Sequence, residues 1–228
     1  MKPREVLDRT TTPDGEPLEL AREAGHLVIR VSGVPLMSSA AYGSEQAMAD
    51  EAFARLGERK RAKVLVGGLG MGFTLRAALD VFPADAQITV AELLPALITY
   101  NRGPLASLAD HPLDDRRTRL FEGDVRVPLR KRGWDAVLMD VDNGPDAFTA
   151  KANGSLYGRQ GVALMSRSLN PGGVLVVWSA YASPRFEADL RRAGLRVEVE
   201  RVRARTKARK GAWHTLFIGR APAPARRR

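Results

Sequence analysis

Val64-Leu65-Val66-Gly67-Gly68-Leu69-Gly70-Met71-Gly72 is the stretch that decides the fold. A short apolar run reads as a buried strand, and it stops abruptly at glycines. Glycine permits the backbone conformations and close approaches that a ligand-binding turn needs. The spacing predicts a helix from about Phe73 to Val81, whose first amides face that turn. The dinucleotide pattern G-x-G-x-x-G fails at its last position, Phe73. What remains is G-x-G-x-G at Gly68, Gly70 and Gly72, which alone is also compatible with a plain strand-to-helix turn.

Downstream, strands and helices alternate. Ile88 to Ala91 reads as the next strand and Pro95 to Tyr100 opens a helix. Thr118 to Phe121 and Ala136 to Met139 are further strands, ending in Glu122-Gly123-Asp124 and in Asp140. A helix is expected over Gly161 to Ser168. Pro171-Gly172-Gly173 turns the chain into a strand over Val174 to Trp178, and Phe186 to Ala193 is helical. Val197 to Val202 and Trp213 to Ile218 are too close together for a crossover helix, so the last strand runs antiparallel. Such an ending is a feature of class I methyltransferase-like folds, whose cofactor is an S-adenosyl sulfonium. The fold class is therefore α/β: a Rossmann-like, doubly wound, mostly parallel sheet with an antiparallel last strand.

Upstream, Leu18 to Leu20, Leu27 to Val31 and Val34 to Met37 are short β-like runs punctuated by Asp14-Gly15 and Ser32-Gly33. They form a small N-terminal β segment. Ser44 to Leu56 has helical apolar spacing, with Ser44 as its N-cap. The expected division is residues 1–43 for the β segment, 44–220 for the cofactor-binding catalytic domain, and 221–228 for a disordered basic tail.

Composition bounds the rest. The chain has 228 residues, 44% hydrophobic and 27% charged, with no cysteine. That balance builds an ordinary core and excludes disulfide scaffolds, Cys zinc sites and thiol catalysis. No segment approaches the ~20 apolar residues of a membrane span, and no signal-peptide core is present. The expectation is a cytoplasmic protein with no membrane partner. The net charge is +10, with arginines and lysines crowded between Arg191 and Lys210 and again at Arg226 to Arg228. A solvated face is favoured over a nucleic-acid surface, because aromatics are not interleaved with the charges.

Four acidic or glycine signals follow one another at strand ends. After the glycine loop comes Glu92, about 20 residues past Gly72, where an acid accepts hydrogen bonds from both ribose hydroxyls of a nucleoside. Asp124 follows the third strand, where a carboxylate accepts from an adenine amine. Asp140 follows the fourth, outside the carboxyl ends of the strands, where ligands of open α/β sheets bind. A carboxylate there orients an amine, takes its proton or steadies the sulfonium charge. Asp142, Asn143 and Asp146 sit just beyond it, equally readable as an Asx-turn. His26, His111 and His214 have no metal spacing, and packing is favoured for His214. Tyr42, Tyr157 and Trp178 are candidates to wall an acceptor pocket, against ordinary packing.

These residues resemble the spermidine synthase-like aminopropyltransferases, a branch of the class I S-adenosylmethionine-dependent methyltransferase superfamily. The resemblance runs from about Gly33 to Gly219. It is carried by Val64 to Arg76, Thr89-Val90-Ala91-Glu92, Gly123-Asp124, Trp134 to Asp140, Leu156-Tyr157 and Leu169-Asn170-Pro171-Gly172-Gly173. The resemblance implies that Gly68, Gly70, Met71, Gly72, Glu92, Leu93, Asp124, Val125 and Asp140 bind the cofactor. It implies Asp140 as the catalytic acid/base, and Tyr42, Glu45, Asp142, Asn143 and Tyr157 around a small-molecule acceptor, an amine.

Two departures bear on the donor. The family's glycine loop carries an Asp that holds the amine end of decarboxylated S-adenosylmethionine, and here that position is Met71. The family's acid-rich segment is here Ser38-Ser39-Ala40-Ala41-Tyr42-Gly43, with no acid until Glu45. A carboxylate ~4 Å from the cofactor's own would cost about 4 kcal/mol at an effective dielectric near 20, and Met71 removes that penalty. The expectation is therefore an alkyl transferase using S-adenosylmethionine itself, a methyltransferase. An aminopropyltransferase of polyamine biosynthesis using decarboxylated S-adenosylmethionine is the alternative. A non-catalytic nucleic-acid-binding or regulatory protein on the same fold is the second alternative. A homodimer is compatible with all three.

Overall fold

The computed structural model describes residues 4–141, 144–145, 154–204 and 211–223. Two sheets organise it. A four-stranded antiparallel sheet runs β1 (Glu5–Thr11), β2 (Pro17–Glu23), β3 (His26–Val31) and β4 (Val34–Ser38) in sequential order. β1 carries no expectation from the sequence. Its burial is sparse and its polar residues do not alternate cleanly, so pairing with β2 is what holds it extended.

Helix α1 (Gly43–Leu56) then leads into the main domain. Strands and helices alternate through β5 (Lys63–Gly67), α2 (Phe73–Val81), β6 (Gln87–Glu92), α3 (Pro95–Arg102), β7 (Thr118–Glu122), α4 (Arg126–Arg130) and β8 (Trp134–Met139). They continue through α5 (Gly154–Tyr157), α6 (Arg159–Ser168), β9 (Leu169–Ser179), α7 (Pro184–Arg192), β10 (Arg196–Arg203) and β11 (Trp213–Arg220). The seven-stranded sheet has the order β10-β11-β9-β8-β5-β6-β7. β5 pairs in parallel with both β6 and β8, and β11 runs antiparallel to both β9 and β10. This is the doubly wound sheet with an antiparallel last strand that the sequence predicts. The chain reverses its winding direction beside β5, and a ligand crevice opens at such a reversal.

Three differences from the sequence reading have local causes. The N-cap of α1 is Tyr42, and Ser44 lies inside the first turn with its hydroxyl engaged by side chains instead. Pro171-Gly172-Gly173 does not precede β9 but lies within it as an irregularity. A side chain at Gly173 would strike the carbonyl oxygens of Asn170, Asp135 and Trp134, so the strand bends there without breaking. Short α4 encloses Pro128, which hides it from a periodicity argument.

Both faces of the large sheet are buried. One core holds Val64, Val66, Leu75, Ile88, Val90, Leu138 and Leu216, and the other Leu65, Val137, Met139, Val177 and Phe217. Continuous apolar strands are what two covered faces require. A third cluster joins Leu18, Leu20, Leu27 and Ile29 of the small sheet to Met71, Leu97 and Leu105. The glycine loop is thereby clamped between the two sheets. Among the described residues no helix is long and apolar enough to cross a membrane.

Candidate active site

The carboxyl ends of β5, β6, β7 and β8 bring the glycine loop, Glu92, Asp124 and Asp140 to one edge of the sheet. Gly68 is required by two observations. Its φ is +89°, and a Cβ there would lie 2.3 Å from the Asp140 carbonyl oxygen. The loop and the end of β8 therefore touch through backbone alone. Gly72, in the left-handed conformation, is the N-cap of α2.

Glu92 ends β6 and is buried. Its Oε2 accepts from the amides of Leu69 (2.8 Å) and Gly70 (3.4 Å), and its Oε1 accepts from Leu94 (2.8 Å). Burial pushes its pKa up, and these three amides oppose that rise. The side chain thus fixes the loop's shape while keeping lone pairs on both oxygens. Leu93 beside it is 55% exposed, an apolar platform of the kind a base packs on. Asp124 accepts from the amide and Nε of Arg126 at 2.8 and 2.7 Å. That guanidinium, against the opposing effect of burial, holds the carboxyl below its ordinary range. Val125 is buried in the core beneath Gly67.

Asp140 receives the Thr74 hydroxyl on Oδ2 at 2.5 Å, while its amide donates to the Gly67 carbonyl. Burial raises its pKa to about 6, against the lowering effect of Thr74. Glu45, in the first turn of α1, is raised to about 7 by burial and by the charge of Asp140. Burial disfavours the charged form of both carboxyls, and a charge on Asp140 makes that of Glu45 harder still to form. Two carboxylates brought together in this way favour a cation between them.

A polar chain leads away from that pair. Ser44 Oγ lies 2.6 Å from Glu45 Oε2 and 2.9 Å from His214 Nδ1. The His214 ring meets Trp178 edge-on with centroids 4.7 Å apart. The Trp178 indole nitrogen is buried without a hydrogen-bond partner among the described residues. In sequence Ser44 reads as a cap and His214 as a packed residue, and Thr74 carries no mark of a polar ligand. Only the position of Thr74 in the first turn after the glycine loop could have drawn notice to it.

Other expected site residues fall elsewhere. The Tyr42 ring stacks on Phe73 at 4.4 Å and lines a cleft of about 320 Å³ with Gln46, Arg76, Ser107 and Asp110. The lining of that cleft includes neither Glu45 nor Asp140. Tyr157 is buried, packs edge-on against Phe186 and donates its hydroxyl to the Val141 carbonyl at 2.8 Å. Met71 is 4% exposed inside the third apolar cluster. Its side chain packs where the small sheet closes on the glycine loop. Asp142, Asn143 and Asp146 lie outside the described residues, as do residues 205–210 and 224–228. Within the basic stretch, Arg191 pairs with Glu187 and Arg192 with Asp189, while Arg203 lies 3.8 Å from the centre of the Trp213 ring.

Fold and site together define a protein of the class I methyltransferase-like type, with acids at successive strand ends suited to a nucleoside. The chain is 34% identical over 173 residues to the polyamine aminopropyltransferases of Mycobacterium tuberculosis and Mycobacterium bovis. The match takes in 71% of this chain and 32% of each relative, so the chain spans about a third of their length. A spermidine synthase solved with the transition-state analogue AdoDATO superposes with a TM-score of 0.70 at 16% identity, covering 95% of this chain and 72% of that one. The spermidine synthase of Thermotoga maritima gives 0.70 at 14% identity over the same shares. A probable spermidine synthase from Corynebacterium glutamicum gives 0.64 at 18%, covering 93% of this chain and 79% of that one. No family profile matches the chain. In fold and in sequence the chain is spermidine synthase-like.

Proposed function

We propose that this chain catalyses alkyl transfer from an S-adenosyl sulfonium to an amine, with an aminopropyl group as the transferred unit and decarboxylated S-adenosylmethionine as donor. The carrying observation is the Glu45–Asp140 pair beside the glycine loop: burial raises both carboxyls, and the charge of Asp140 raises Glu45 further. An acidic pair recognises a cationic acceptor, which a polyamine is. The name of the curated relatives, polyamine aminopropyltransferase, supports the same transferred group.

The residues fit a nucleoside donor. Glu92 would hold the ribose, Leu93 would pack on the base, and Asp124 would face the adenine amine once Arg126 shares it. When bound, the donor supplies an electrophilic carbon beside a sulfonium. Asp140 takes a proton from the acceptor's ammonium, which frees a lone pair on nitrogen. Thr74 fixes the orientation of that carboxylate. Glu45 holds the acceptor's charge and keeps the nitrogen in line, which is where most of the acceleration in a displacement comes from. The amine's N–C bond forms as the C–S bond breaks, and the electron pair of that bond leaves with sulfur.

Methyl transfer is a second reading, favoured by the absence of a carboxylate at position 71. One assay separates the two. The protein is incubated with decarboxylated or intact S-adenosylmethionine and a panel of diamines and triamines, and the nucleoside product is identified by mass. Methylthioadenosine is the expected product. S-adenosylhomocysteine would install the methyl reading, and neither product with any amine would overturn alkyl transfer.

A further inference from the structure

The His214–Ser44–Glu45 chain has the geometry of a proton path that starts at the acceptor carboxylates and ends on an imidazole. We infer that His214 is the terminal acceptor of the proton that the amine releases. Asp140 takes the proton first and passes it to the neighbouring Glu45 after the displacement; from Glu45 it moves through the Ser44 hydroxyl to His214, which does not touch the acceptor. This rests on the proposed transfer to an amine at the Glu45–Asp140 pair.

The three groups come from distant parts of the chain. Ser44 and Glu45 lie in the first turn of α1, and His214 lies on β11, 170 positions further along the chain than Ser44. A serine hydroxyl has one hydrogen and can both give and receive. With Glu45 protonated, its O–H points at Ser44 Oγ, and the Ser44 hydrogen points at Nδ1 of a neutral imidazole. After transfer each hydrogen has moved one position along. Glu45 is then a carboxylate accepting from Ser44, Ser44 accepts from Nδ1–H, and His214 is an imidazolium. No bond is left unbalanced, and the proton departs from Nε2 to solvent.

Distances of 2.6 and 2.9 Å suit both directions of the chain. Ser44 is fully buried, so water does not compete for its hydroxyl. Trp178, edge-on to the ring, holds the imidazole plane. The titratable groups facing this chain are Glu45 from α1 and, across it, Asp140 from β8. From β9 and β10 the neighbours of His214 are Trp178 and Val202. Burial lowers the His214 pKa while it raises that of Glu45. Both shifts favour the neutral form of each group, so a charged imidazolium in this position readily gives its proton up.

The test has two arms. In the first, long-range nitrogen–proton NMR follows the titration of His214 in wild type, Glu45→Gln and Ser44→Ala. His214 is assigned by its loss in His214→Asn. The expected result is a lower His214 midpoint in both variants, because the imidazolium loses its negatively charged or hydrogen-bonded partner. An unchanged midpoint in both overturns the relay, whether or not the protein turns over any amine. In the second arm, kcat and KM are measured against pH for Ser44→Ala and His214→Asn. The expected loss is about tenfold or more in kcat with KM little changed, and the acidic limb of kcat shifts in His214→Asn toward that set by Asp140 alone. Wild-type kcat and an unmoved acidic limb in both variants would overturn it. Absence of any turnover in the wild type would instead strike the proposed function, leaving the NMR arm to decide the relay.

Discussion

Thr74 and Asp140 face each other across the loop between β5 and α2, the hydroxyl donating to Oδ2 at 2.5 Å. The contact favours the charged form of Asp140 and opposes the rise that burial causes. Removing it in Thr74→Val raises the Asp140 pKa further. If ionised Asp140 accepts the amine's proton, the acidic limb of kcat/KM moves to higher pH, with a loss of about tenfold below the limb. Asp140→Asn, which cannot take the proton at all, loses about 10²–10⁴-fold at every pH. Steady-state kinetics from pH 5 to 9 measures both. A Thr74→Val limb that stays in place would show that Thr74 does not tune the base.

Glu45 makes the site a burden on the fold, with a sign that can be worked out. Its pKa in the folded protein is raised from 4.5 to about 7. A raised carboxyl pKa means that the folded state binds the proton more tightly than the unfolded one. Its stabilising contribution is complete below the unfolded pKa and is lost as pH rises through about 7. Glu45→Gln removes that dependence. The variant should melt above wild type at pH 8, by a few degrees, and the advantage should vanish toward pH 4. Comparing the two proteins at each pH cancels the opposite contributions of Asp115 and Asp124, whose pKa values are lowered. Equal melting curves at pH 8 would contradict the burial of a charged Glu45.

Much of the fold is legible because its signals are local. Val64 to Gly72 announces its own strand, turn and helix, and α2 spans Phe73–Val81 as the periodicity predicts. The antiparallel β11 follows from the short connection alone. What stays hidden depends on partners far away. β1 is a strand only because β2 pairs with it. Ser44 reads as a helix cap in one dimension, and its partner His214 has no signature in its own neighbourhood. Met71 illustrates the same limit from the other side. The loop position is right, but sequence cannot say which way the side chain points, and it points into the core.

Gly68 tests how tightly the loop meets β8. Gly68→Ala places a methyl 2.3 Å from the Asp140 carbonyl at a φ of +89°. Backbone strain and forced displacement together cost about 3 kcal/mol or more. For a chain of this size that lowers Tm by roughly 6–12 °C. Because the atom displaced belongs to Asp140, binding of methylthioadenosine should weaken alongside stability. Calorimetry and ligand titration on the same sample check both. A variant that melts like wild type would mean that the loop and the end of β8 are not in contact.

Met71 bears on the choice of donor. Its side chain lies among Leu18, Leu20, Leu27, Ile29, Leu97 and Leu105, where the small sheet closes on the glycine loop. An aspartate in that environment would be a buried charge without a partner, costing about 3–5 kcal/mol. Met71→Leu keeps the volume and should cost less than about 1.5 kcal/mol. Denaturant unfolding of the two variants separates packing from ligand chemistry. The expected order is wild type, then Met71→Leu close behind, then Met71→Asp far below. In that case the residue type at position 71 reflects how the N-terminal sheet packs, and the methyl reading loses its main support. If Met71→Asp folds as stably as wild type and tightens binding of decarboxylated S-adenosylmethionine, the side chain reaches the ligand. Methionine there would then disfavour the aminopropyl donor after all.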